Sequence, residues 1–169
     1  MSEQGSTPVR RVVTGHNDKA RAVFKSDDAF TPAPIPSGDA NFSLIWTTPT
    51  VPADNNDETD GRARDAGLTL NQGSVIRVVD MLPGGESPMH RTNSIDYGIV
   101  LSGRLELELE DGAVKPLAPG DIVVQRGTNH KWRNPSDSEI CRIVFILIEA
   151  PAYLHNGKPL DEMKPEDAH

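Results

Sequence analysis

The chain has 169 residues, 36% of them hydrophobic, a formal net charge of −8 and one cysteine, Cys141. That length holds one domain with a tail rather than two full domains, and the composition is that of a packed globular core. The acidic balance argues against a nucleic-acid groove or a polybasic membrane patch, no apolar run could span a bilayer, and a lone cysteine removes an internal disulfide, a cysteine zinc site and Cys-x-x-Cys redox chemistry.

In chain order, the opening MSEQGSTPVRR carries no apolar leader, which points to a cytoplasmic protein. Residues 1–41 read as an N-terminal arm and connector. One valine-rich strand over Val9–Thr14 precedes polar stretches and Thr31-Pro-Ala-Pro-Ile-Pro36, where alternate prolines favour extended chain. Residues 42–150 form the domain proper, opening with the β-branched and aromatic run Phe42–Thr48. Residues 48–65 then lose all apolar periodicity and carry five acids against two arginines, an exposed acidic loop. From Ser74 onwards the pattern is β throughout. Strands are expected at Val75–Leu82, Tyr97–Leu101, Asp121–Gln125 and Glu139–Glu149, separated by glycine turns. Between them Leu105, Leu107 and Leu109 alternate with Glu106, Glu108 and Glu110, a half-buried antiparallel strand. Residues 151–169 read as a polar C-terminal tail. The expectation is an all-β barrel or sandwich.

Chemistry concentrates in two segments, Gly84 to Gly103 and Gly120 to Asn134. On one straight strand His90 and Asp96 would lie about 20 Å apart. The turn-forming Thr92-Asn93-Ser94 predicts a reversal that sets residue 90 opposite residue 96, with His130 arriving from a third strand. Two imidazoles and a carboxylate can hold a divalent ion and leave coordination positions open for substrate, dioxygen or water. The alternative is a hydrogen-bonded histidine pair with no ion. Arg77, Tyr97, Gln125 and Trp132 sit in strand patterns beside these segments, and each is a candidate to orient an oxygenated ligand in a cavity.

The two segments resemble the paired motifs of the cupin superfamily. Gly84, His90, Asp96 and Gly103 fall on the spacing of the first motif, and Gly127, His130 and Asn134 on that of the second. The resemblance covers roughly residues 72–149. It implies a cupin-type jelly-roll barrel (double-stranded β-helix) with the site inside, and it puts His90, Asp96 and His130 at metal-ligand positions. The ion implied is Fe, Zn, Mn or Ni. Three departures stand out: Thr92 replaces a second histidine, Asp96 replaces a glutamate, and Gln125 replaces a proline. A neutral hydroxyl is a poor ligand, so Thr92 joins the substrate-contacting candidates. The resemblance implies a small-molecule enzyme of lyase type (decarboxylase, dehydratase or isomerase), with Asp96 and His130 as its catalytic residues. An Fe(II) dioxygenase and a metal-free binder are the alternatives. A homodimer is expected, the N-terminal arm covering a sheet edge.

Overall fold

The computed structural model describes residues 5–67 and 72–164. Within them the chain is β-structure with one short 3-10 turn at Gly61–Ala63 and no α-helix, so no helix is long and apolar enough to cross a membrane. The expectation of an all-β fold holds.

Strands β1 (Val9–His16) and β2 (Ala22–Phe30) pair with each other as a hairpin. β3 (Ala33–Pro34), β4 (Ala40–Thr48), β5 (Ser74–Met81), β6 (Ser94–Ser102), β9 (Ile122–Arg126) and β11 (Cys141–Glu149) form a six-stranded sheet in the order β3-β4-β5-β11-β6-β9. β7 (Leu105–Leu109), β8 (Val114–Leu117) and β10 (His130–Arg133) form a three-stranded sheet in the order β10-β7-β8. β12 (Leu154–His155) and β13 (Lys158–Pro159) close a small hairpin near the C-terminus. All recorded pairings are antiparallel.

The strands arise where period-2 patterning meets a buried face. On β6 the residues Ser94, Asp96, Gly98 and Val100 are buried, while Ile95, Tyr97 and Leu101 are exposed. β7 begins with a buried Leu105 and emerges to an exposed Leu109. Gly103 makes the β6–β7 turn possible: its φ is +78°, and a Cβ there would lie 2.5 Å from the Ile140 carbonyl oxygen. The two larger sheets close on a core of Val79, Met81, Val100, Leu105, Trp132, Cys141 and Ile143. Each fully buried aliphatic side chain in it contributes about 1.5–3 kcal/mol.

Three expectations need correction. Residues 1–41 hold more than the one expected strand: β2 pairs with β1, β3 joins the large sheet, and the hairpin docks through Arg11, which binds Asp28, Asp60 and the Ile45 carbonyl. The C-terminal tail is not a bare polar extension. Arg91 and Met163 exchange backbone hydrogen bonds, and Glu162 accepts from the Asn93 amide, which ties residues 162–163 to the chain beside His90. The predicted reversal at Asn93 does not form. The chain bends there and runs on into β6, because Ala150 donates to the Asn93 carbonyl and Ser94 pairs with Glu149.

Candidate active site

A cavity of about 450 Å³ opens among the strands, with mostly apolar walls. β4 supplies Phe42, β5 supplies Arg77, Val79 and Met81, β10 supplies His130 and Trp132, and β11 supplies Phe145 and Leu147. Asp96 reaches it from β6, and His90 and Thr92 from the segment before that strand. His90 is not opposite Asp96. Its cross-strand partner is His130, with backbone bonds of 2.8 and 2.9 Å exchanged between them.

This pairing sets the two imidazoles together, with ring centroids 4.3 Å apart. His90 Nδ1 lies 2.9 Å from the Pro88 carbonyl, and His130 Nδ1 lies 2.8 Å from the Thr128 carbonyl. A carbonyl only accepts, so each Nδ1 carries the proton and each Nε2 holds the basic lone pair. Burial pushes both histidines down, and for His130 the neighbouring His90 adds to it, reaching about 3. Both rings are neutral near pH 7.

Asp96 behaves in the opposite sense. Burial lifts its carboxyl to about 6, and the Ser94 hydroxyl, donating at 2.5 Å, pulls against that rise. Thr92 Oγ1 lies 2.8 Å from Ser94 Oγ, so three successive inward positions form one hydrogen-bonded chain. Arg77 is buried, donates to the Gly67 carbonyl, and stands 5.6 Å from the Phe42 ring centre; burial lowers its guanidinium to about 10.

Of the residues singled out from the sequence, the cavity gathers His90, Asp96, His130, Arg77, Thr92 and Trp132. Two fall elsewhere. Tyr97 follows Asp96 on one strand, so it points to the opposite face and stays 37% exposed. Gln125 is buried, but it lines a separate groove with Arg91, Leu107 and Asn129. Phe42, Phe145 and Ser94 belong to the site and were not foreseen there. Strand parity could have found Ser94 from Asp96 and Phe145 from the inward Ile143 and Leu147.

A divalent ion of the implied kind needs three protein donors around one point at about 2.0–2.2 Å. The imidazoles offer two Nε2 lone pairs. Thr92 is a neutral hydroxyl, and among the described residues no three His, Cys, Asp or Glu side chains form an ion-holding group. The described side chains therefore do not fit a three-ligand ion.

Comparison with known proteins agrees with the architecture. The model of the cupin domain matches residues 77–147. Phomopsin biosynthesis cluster protein C' of Diaporthe leptostromiformis is 42% identical over 158 residues, which span 89% of this chain and 83% of that protein. The cupin-domain-containing oxidoreductase fogC of Aspergillus ruber is 36% identical over 163 residues, 93% of this chain and 80% of that protein. Among solved structures, an uncharacterized conserved protein with a double-stranded β-helix domain from Klebsiella pneumoniae superposes with a TM-score of 0.51 at 22% identity. That match covers 70% of this chain and 84% of the other.

Proposed function

This chain belongs to the cupin domain family, and from that premise we propose that it is a small-molecule enzyme of secondary metabolism, catalysing redox-neutral proton transfer on an oxygenated, largely apolar metabolite. One observation carries the reading: two neutral imidazoles with unprotonated Nε2 atoms and a carboxyl group lifted to about 6 face one apolar cavity. Burial makes the Asp96 carboxylate the stronger base of the set and keeps the imidazoles neutral as hydrogen-bond acceptors. The Asp96 carboxylate, made more basic by burial, takes a proton from carbon next to a substrate carbonyl. The proton passes from Asp96 to the carbonyl oxygen as charge develops there, giving an enol whose O–H donates to the neutral His130 Nε2. Return of the proton to another carbon isomerises the substrate, and loss of a group from the adjacent carbon eliminates it. Apolar walls keep water away, which strengthens both interactions. The biosynthetic setting is supported by relatives named for biosynthesis clusters.

The test is exchange of the α-hydrogens of 2-tetralone into D2O, followed by NMR with chelator-treated protein. Exchange above buffer is expected to survive chelation and to fall about 100-fold in His130→Ala and Asp96→Asn. A second reading, a metal-dependent oxidoreductase, is favoured by the name of the relative fogC. It predicts no exchange after chelation, and dioxygen uptake only when Fe(II) is restored. Binding without exchange under every metal condition would leave a non-catalytic binder.

A further inference from the structure

The cavity wall is built from aromatic rings in unbroken succession. His90 and His130 stand 4.3 Å apart between ring centres, His130 and Trp132 5.4 Å, and Trp132 and Phe145 5.2 Å. His130 and Trp132 alternate on β10, which turns both inward, and Phe145 on β11 continues the row. A glycine makes room for it. Gly98 lies at a buried position of β6, and a Cβ there would come 3.0 Å from Phe145 Cε1 and 3.8 Å from Trp132 Cη2. Phe42, with the Arg77 guanidinium 5.6 Å from its ring centre, also lines the space.

On the reading that this cavity is the substrate site, we propose that it selects planar conjugated molecules bearing an oxygen function, namely aryl alcohols and aryl carbonyl compounds. Aromatic rings at these separations favour another ring over a saturated group of equal area, because the quadrupoles of the rings add to burial. A polyol is disfavoured for a separate reason. Its many hydroxyls would be desolvated against walls that are mostly apolar, and each one left unbonded weakens binding. The oxygen function is matched by a small polar set, His90, His130, Thr92 and Asp96.

Two probes share one skeleton: 2-naphthol, and its saturated form decahydro-2-naphthol. Calorimetry is expected to show 2-naphthol binding about tenfold more tightly. The chain has two tryptophans, so two indole N–H signals report on location, and Trp46→Phe assigns them. The Trp132 signal is expected to move with 2-naphthol. The Trp46 signal, from a ring packed beside Arg11 and Gly61, is expected to stay. Phe145→Leu removes one ring, and Gly98→Ala crowds it; each is expected to reduce the preference to about twofold. Equal affinity of the two probes, or movement at Trp46 alone, would overturn the proposal. Preference for 2-naphthol without exchange of 2-tetralone refutes the proposed chemistry and leaves this selectivity standing. Exchange without the preference does the reverse.

Discussion

At the residue scale, Asp96 and His130 make stability depend on pH in opposite directions. The Asp96 carboxyl rises from 3.8 to about 6 on folding, so the folded state keeps a proton that the unfolded chain has lost. Its contribution is therefore present below pH 3.8 and lost as pH rises through 6, a change on the order of 3 kcal/mol. His130 falls from 6.5 to about 3, so the unfolded chain binds a proton that the folded state refuses. Its contribution is present above pH 6.5 and lost as pH falls toward 3, and His90 acts in the same sense. Between pH 4 and 6.5 two histidines oppose one carboxyl, and net stability drops on acidification. In urea titrations across that window, His130→Gln is expected to flatten the dependence and Asp96→Asn to steepen it. Unchanged slopes in both variants would show that neither burial effect operates.

At the scale of elements, what the sequence revealed depended on whether a strand has one wet face and one dry face. Leu105, Leu107 and Leu109 alternating with glutamates announced β7, although burial there fades along the strand from Leu105 to an exposed Leu109. β2 has no such contrast. It runs Ala-Val-Phe-Lys-Ser-Asp-Asp-Ala-Phe, is exposed or half-buried along its length, and is held to β1 by Arg10–Asp27 and Arg11–Asp28 pairs. Those are long-range partners that local periodicity cannot signal. β10 was expected only as a third strand bearing His130, without bounds, because it has only four residues, one of them a lysine and one an arginine. The histidine motif positions were legible from glycine spacing, whereas the His90–His130 pairing was not, since it joins segments forty residues apart in a region where Met163 and Ala150 also bond the chain around Asn93. Placing Tyr97 in the cavity beside Asp96 conflicted with strand parity, a signal that was available in the sequence.

Arg11 is the buried anchor of the N-terminal hairpin, beside the Arg62–Phe30 stack and the Lys25–Glu58 pair. Arg11 is 5% exposed, donates to both Asp28 and Asp60, and lies 4.9 Å from the Phe30 ring centre and 5.7 Å from that of Trp46. The Arg11 guanidinium in turn draws Asp60 down to about 2. Losing the arginine leaves two carboxylates, but these are 35% and 49% exposed and remain partly hydrated. Arg11→Ala is accordingly expected to cost about 2–3 kcal/mol, below the range for a fully buried pair. Arg11→Lys should lose more than half as much, since an ammonium cannot fork to two acids. Hydrogen exchange locates the effect: amides of β1 and β2 should lose protection before those of β5 and β11. Loss spread evenly over all strands would mean that Arg11 supports the barrel rather than the hairpin.

At the scale of the whole molecule, the open question is what covers the β6–β9 side of the large sheet. β9 is its last strand, paired on one side only with β6, while β3 caps the opposite edge with a proline at its second position. Most outward residues at the β9 end are apolar, with Arg126 at one border: Ile122 is 65% exposed, Val124 56%, Leu101 51%, and Ile95 and Tyr97 flank them. An apolar sheet face next to an unpaired edge favours association over solvation. A second copy meeting it about a two-fold axis covers both patches at once, because such an interface joins the same surface on each chain. The hairpin β1–β2 is a separate two-stranded sheet and contributes no strand to either edge. The homodimer is therefore expected to form through β6 and β9 rather than through the arm. Light scattering should give twice the 18.4 kDa chain mass for the intact protein. Val124→Lys, which sets a charge at the centre of the patch without touching the cavity, should halve it. A chain starting at Gly5 with Arg11→Ala should stay dimeric. A monomeric mass for the unaltered protein overturns the dimer, and a dimeric mass for Val124→Lys moves the interface to another face.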